Sequence, residues 1–157
     1  MEIFYSFDCE PETIFLSVSI MDLFLNRIKT KILKDHLDLI CATSIYMASK
    51  MEDKIPLFVS NVVSKILHYK YNEYYNSLLF YRSSVIAMEK IIFIEINFNV
   101  ILTSTYDFIK SYMLDFSNID MNLIELRIHL EQITRLESIS IFMAKLMLHD
   151  EAYYEYK

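Results

Sequence analysis

The chain of 157 residues contains no glycine, no tryptophan, and only two prolines and two cysteines. Glycine supplies the left-handed backbone positions of tight hairpins and of phosphate-binding loops. Its absence excludes a P-loop and a G-x-S-x-G nucleophile motif, and it argues against a β-rich protein with short turns. The two cysteines, Cys9 and Cys41, could form at most one disulfide, which is too few to stabilise a domain of this size. We therefore expect a reducing, intracellular compartment.

The chain also lacks a basic surface. Its formal net charge is −6, and its densest basic stretch, Arg27 to Lys31, is short. Nucleic-acid binders carry a basic face that neutralises phosphates, so no nucleic-acid partner is expected. Charged residues interrupt every apolar stretch before the roughly 18–20 residues needed to span a bilayer, and no signal peptide is visible. No membrane partner is expected either.

Hydrophobic residues make up 54% of the chain, and their spacing is helical almost throughout, which predicts an all-α fold. We expect a polar loop over residues 68–76 and a turn over 118–122. The last helical region, about 123–148, is either one long helix or a helical pair. The predicted helices are 11–27, 33–51, 57–67, 78–96, 103–114 and this last region.

One of these segments has the composition of a central helix. Between Leu33 and Met51, small residues alternate with large ones, and small side chains let neighbouring helices approach closely from several sides. The small residues are Ala42, Ser44, Ala48 and Ser49.

Three phrases, in this order, resemble the cyclin box. Residues 12–25, ETIFLSVSIMDLFL, are similar to the second helix of the cyclin box. Residues 48–56, ASKMEDKIP, are similar to the end of its third helix. The third phrase joins Met88-Glu89-Lys90 to residues 96–100, INFNV, and is similar to the fifth helix. The resemblance covers about residues 2–102, and residues 103–157 resemble the start of a second box. We therefore expect two domains, 1–102 and 103–157.

The resemblance implies a cyclin of the mitotic, A/B-like type, acting in the nucleus or cytoplasm. Such a protein binds and activates a cyclin-dependent serine/threonine kinase and has no catalytic chemistry, cofactor or small-molecule ligand of its own. The family's kinase-contacting Lys and Glu match Lys50 and Glu89. Its apolar interface positions match Met51, Phe93, Phe98 and Val100, for which a core role is an equal alternative.

The chain departs from the family pattern in three places. Only the last turn of the first cyclin-box helix is present, so Glu2 and Leu37 are a remnant of the substrate-docking patch, and an incomplete N-terminus is expected. Asp22 matches a buried structural acid whose Arg partner is missing. The stretch between Lys50 and Glu89 is longer than usual, which predicts an enlarged loop near residues 70–80. The second box also stops short of five helices.

Other functions remain as alternatives. A transcriptional-type cyclin would carry the same Lys50 and Glu89. A cyclin-fold binding module resembling a general transcription initiation factor would need a basic surface, and a degenerate helical fragment would have no partner. The four histidines do not fall at ligand spacing with one another or with the cysteines, so no metal site is expected.

Overall fold

The structure is a computed structural model that describes residues 9–28, 34–64, 75–117 and 123–148. Every regular element in these ranges is a helix, which confirms the all-α prediction. The helices are α1 (Pro11–Arg27), α2 (Lys34–Glu52), α3 (Val59–Val62), α4 (Tyr75–Glu95), α5 (Thr105–Ser117) and α6 (Leu123–Met147).

The chain divides into two compact units, Met1–Leu102 and Thr103–Lys157. The first contains α1 to α4, and the second contains α5 and α6. That the second unit is the start of a second cyclin-like domain remains a prediction.

Helix α2 is the centre of the first unit, as its composition predicted, because it packs against α1, α3 and α4. Its small residues are almost fully buried, which lets the three neighbours approach its backbone closely. Large side chains from α1, α2 and α4 fill the space between these helices. The buried core consists of Leu16, Ile20, Phe24, Ile40, Met47, Ala48, Ile92 and Ile96.

The far ends of α1 and α4 are joined by a polar contact. The Arg27 guanidinium donates a hydrogen bond of 3.2 Å to the backbone carbonyl of Glu95. The last carbonyls of a helix have no hydrogen-bond partner within it. The Arg27 guanidinium provides a donor for one of these carbonyls, and its positive charge interacts favourably with the negative end of the α4 dipole.

The loop prediction before α4 was partly wrong. Helix α4 begins at Tyr75, so residues 75–80 are helical rather than part of an enlarged loop. The polar residues of this stretch argued against helix, but the first turn of a helix tolerates them since its N–H groups have no intrahelical partner. Residues 65–74 lie outside the described ranges. Of the predicted helix 57–67, the structure describes residues 57–64, and within these Val59–Val62 is α-helix.

In the second unit, α5 begins at Thr105, two residues after its predicted start. The Ser104 hydroxyl accepts the Asp107 N–H at 3.4 Å, and the Asp107 carboxylate accepts the Ser104 N–H at 2.6 Å. This reciprocal pair is a capping box. Helix α6 is one continuous helix of 25 residues, which decides between the two predicted alternatives.

Adjacent isoleucines on α4 test this core. Ile92 is fully buried, whereas Ile91 is 46% exposed. We expect Ile92→Ala to lower the free energy of unfolding by about 2–5 kcal/mol, because it leaves a cavity between three helices. Ile91→Ala removes the same atoms and should change it by less than about 1 kcal/mol. Urea titration followed by circular dichroism measures both, and equal losses would contradict the packing described.

Candidate functional site

The ends of two helices bring the predicted charged pair together. Lys50 lies in the last turn of α2, and Glu89 lies in the second half of α4. The Lys50 ammonium forms an ion pair with the Glu89 carboxylate. Because α2 and α4 pack directly against each other, two charges 39 residues apart in sequence meet on one surface of the first unit.

This ion pair is only partly accessible to solvent. The Lys50 side chain is 35% exposed and the Glu89 side chain is 14% exposed. The ammonium also lies 4.4 Å from the centre of the Tyr46 ring, one helical turn earlier on α2. A cation over an aromatic face gains electrostatic stabilisation. Lys50 is therefore fixed by two partners while part of its side chain stays available to another molecule.

The four apolar residues predicted to surround this pair fall into two groups. Met51 is 50% exposed and Phe98 is 69% exposed. Phe93 and Val100 are half-buried and pack against the core of the first unit. Phe93 and Val100 thus contribute to the core, whereas Met51 and Phe98 face solvent, and their role in an interface stays a prediction.

The chain after α4 presents Phe98 through an unusual backbone turn. Asn97 and Phe98 have φ values of 54° and 57°, in the left-handed region that glycine usually occupies. The Phe98 N–H donates to the Phe93 carbonyl at 2.8 Å, and the two rings stack with centroids 5.7 Å apart. The hydrogen bond and the stacking hold an aromatic residue in a conformation that costs about 1–2 kcal/mol.

A further residue, which sequence reasoning did not single out, lies just beyond Lys50. One oxygen of the Asp53 carboxylate accepts the Thr13 hydroxyl at 2.6 Å and the Glu10 N–H at 3.0 Å. These donors lie at the start of α1, where Glu10 makes no side-chain cap of its own. Asp53 therefore caps α1 from another part of the chain. The signal was available, because Thr13 and Asp53 belong to two of the three cyclin-like phrases.

Of the remaining predicted site residues, the structure describes Asp22 and Leu37 but not Glu2. Asp22, predicted to be a structural buried acid, is half-buried and takes part in an interaction. It stands two positions from the core residues Ile20 and Phe24, which puts it on the opposite side of α1. Leu37 is 41% exposed on α2. Glu2 is outside the described residues.

Cys9 and Cys41 do not form a disulfide with each other. Burial raises the pKa of the Cys41 thiol, and the nearby Asp38 carboxylate adds to this, so the thiol stays protonated and weakly nucleophilic. Within residues 9–28, 34–64, 75–117 and 123–148, no cluster of His, Cys, Asp and Glu could hold a metal ion. No helix in these ranges has the length and apolar character to cross a membrane.

Comparison with known proteins agrees with the sequence resemblance. The family described as "Cyclin, N-terminal domain" matches residues 1–101. The G2/mitotic-specific cyclin-B3 of Mus musculus is 29% identical over 112 residues, which are 71% of this chain and 7% of that protein. The S-phase entry cyclin-5 of Saccharomyces cerevisiae is 42% identical over 53 residues, 34% of this chain and 12% of that protein. The chain thus matches only a small part of the length of these relatives.

The ion pair gives a first prediction for this site. Lys50→Met leaves the mostly buried Glu89 carboxylate without its partner, so we expect the free energy of unfolding to fall by about 1–2 kcal/mol. Lys90→Met removes an exposed cation beside Glu89 and should change it by less than about 0.5 kcal/mol. The difference should shrink in high salt. Chemical unfolding at two ionic strengths measures it; equal effects would mean that the ion pair contributes nothing.

The left-handed turn gives a second prediction. Asn97→Gly should be more stable than Asn97→Ala by about 1 kcal/mol, because alanine meets the steric penalty of positive φ and glycine does not. Asn99 lies two residues on, and it is not among the positive-φ positions of the described chain. There the alanine variant should be at least as stable as the glycine variant. Thermal unfolding of the four variants measures these differences in stability. If glycine were more stabilising than alanine at both positions, the turn geometry would be contradicted.

Proposed function

Because the chain belongs to the cyclin family, we propose that it binds a cyclin-dependent serine/threonine kinase and activates it in cell-cycle control. Cyclins are in general regulatory and non-catalytic, and the proposal gives this chain the same kind of role. The observation that carries it is the ion pair of Lys50 and Glu89 on one surface of the first unit, a unit that also exposes the side chains of Met51 and Phe98.

The chemistry of this surface suits a protein partner. A long cation reaches backbone carbonyls, and a carboxylate accepts hydrogen bonds from donors, so the pair offers both kinds of polar contact. The exposed Met51, which follows Lys50 in the chain, and the exposed Phe98 offer the kind of apolar area that protein interfaces concentrate near their centres. The partial burial of Lys50 and Glu89 lowers the entropy lost on binding, because both side chains are already ordered.

The proposed mechanism acts on the kinase rather than on a substrate. In the family, docking of this surface pushes the mobile helix of the kinase inward, which completes the Lys–Glu pair that positions the ATP phosphates in the kinase itself. In this chain, Lys50 and Glu89 would contact that helix and its flanking loops. Met51 and Phe98 would be the apolar contacts, while Phe93 and Val100 would support them from the core.

We further propose that the chain acts in mitosis, in the nucleus or cytoplasm. Its support is the similarity to the G2/mitotic-specific cyclin-B3, which extends over 71% of this chain. The relative named for S-phase entry matches 34% of it. Both names refer to the cell cycle, which favours a cell-cycle kinase over a transcriptional one.

A binding experiment tests the proposal. The chain is immobilised and offered a panel of purified cell-cycle and transcriptional cyclin-dependent kinases, and retained kinase is assayed for peptide phosphorylation. We expect retention and activation of a cell-cycle kinase, and a loss of affinity of about tenfold or more for the Lys50→Ala/Glu89→Ala double variant. Removing both partners avoids leaving one buried charge unpaired.

The matched control is the Lys90→Ala/Glu95→Ala double variant, which removes the same charges from exposed positions on α4. It should bind like the wild type. Failure of the wild-type chain to retain any kinase would refute kinase binding. Equal binding by wild type and the Lys50/Glu89 variant would refute the assigned contacts.

A further inference from the structure

The Asp53 carboxylate lies at an electrostatically unfavourable end of α2 and at a favourable end of α1. Asp53 comes directly after Glu52, the last residue of α2, where the negative end of the helix dipole disfavours a carboxylate. The same carboxylate accepts two hydrogen bonds at the start of α1, where negative charge is favoured. A residue that opposes its own helix and serves a neighbouring one indicates a role in joining the two.

The contacts of Asp53 continue to the turn from which Lys50 projects. The Asp53 N–H donates to the Ser49 carbonyl at 3.1 Å, which closes the last turn of α2 around Lys50. The Leu57 N–H donates to the Ser49 hydroxyl at 2.8 Å, and Ser49 is fully buried. The last turn of a helix ordinarily frays, but this one is tied to α1 on one side and to the following segment on the other.

The position of Lys50 depends on that turn. Its ammonium must reach both the Glu89 carboxylate on α4 and the face of the Tyr46 ring. A rotation of the last turn would move the side chain away from both partners, since the backbone sets the direction in which a side chain leaves a helix. Thr13 is fully buried, and its hydrogen bond to the half-buried Asp53 carboxylate is partly shielded from solvent.

We propose that Asp53 is a positioning residue: by tying the last turn of α2 to the start of α1, its carboxylate fixes the direction in which Lys50 projects. The consequence for kinase binding rests on the proposed function, whereas the effect on Lys50 itself does not. Asp53 acts through Lys50, and Thr13 is its partner on α1.

The free chain provides the first test. The Tyr46 ring should shift the NMR signals of the Lys50 side-chain methylenes upfield, and a chain labelled only at lysine, with Lys50→Arg for assignment, makes this shift measurable. We expect Asp53→Ala to remove at least about half of the shift. Thr13→Val, which deletes the donor and keeps the shape, should do the same, and Asp53→Asn, which keeps an acceptor oxygen, should do less.

Glu52→Ala is the matched control, because it removes an exposed carboxylate from the same turn. It should leave the Lys50 shift unchanged. A loss of helix stability alone would not move this signal at a temperature where every variant is folded by circular dichroism. If the wild-type shift persists in Asp53→Ala or in Thr13→Val, Asp53 does not position Lys50, whatever the kinase experiment shows.

The kinase retained by the wild-type chain provides the second test. Asp53→Ala should weaken its affinity by about tenfold when Lys50 is present, because a displaced Lys50 loses its contact with the kinase. In a Lys50→Met background the same substitution should weaken it less than about twofold. Equal losses in both backgrounds would overturn the positioning role. If the wild-type chain retains no kinase, the proposed function fails, and the Lys50 shift still decides the role of Asp53.

Discussion

The ion pair between Lys50 and Glu89 is the interaction on which the arrangement of the site depends. It exists only because α2 is narrow enough, through its small buried residues, for α4 to pack directly against it. With one partner at 35% and the other at 14% exposure, the pair is neither a solvated surface contact nor a fully desolvated one. It therefore holds two helices in register and still leaves charge available at the surface.

The three cyclin-like phrases of the sequence are joined by physical contacts. The first phrase contributes Thr13 and the second contributes Asp53, and a hydrogen bond of 2.6 Å links them. The second also contributes Lys50, whose ion pair reaches Glu89 in the third. Within the third phrase, Phe93 and Phe98 stack across a left-handed turn. Contacts between the phrases thus join all three of them within the first unit.

Sequence reasoning predicted the fold well where a local signal existed. The helical spacing predicted α1 over residues 11–27, as observed, and the small residues marked α2 as the central helix. It was insufficient where contacts between helices determine the start of a helix or the burial of a side chain. The start of α4 at Tyr75 has no capping signal in a polar stretch, and the solvation of Asp22 depends on which side of α1 faces the core. Lys50 and Glu89 were identified through the family resemblance; the function of Asp53 required knowing which helix end lies beside it.

The cap that α1 receives from Asp53 also has a consequence for the order in which the first unit folds. Its hydrogen-bonded groups are separated by 40 and 43 residues, so the start of α1 cannot be completed by local chain motion. A nascent α1 would fray at its first turn until α2 has formed and docked, because closing so long a loop is entropically unfavourable before other contacts compensate for it. Formation of the two helices is in this way made cooperative: α1 acquires its full length only in the presence of the helix that carries Lys50.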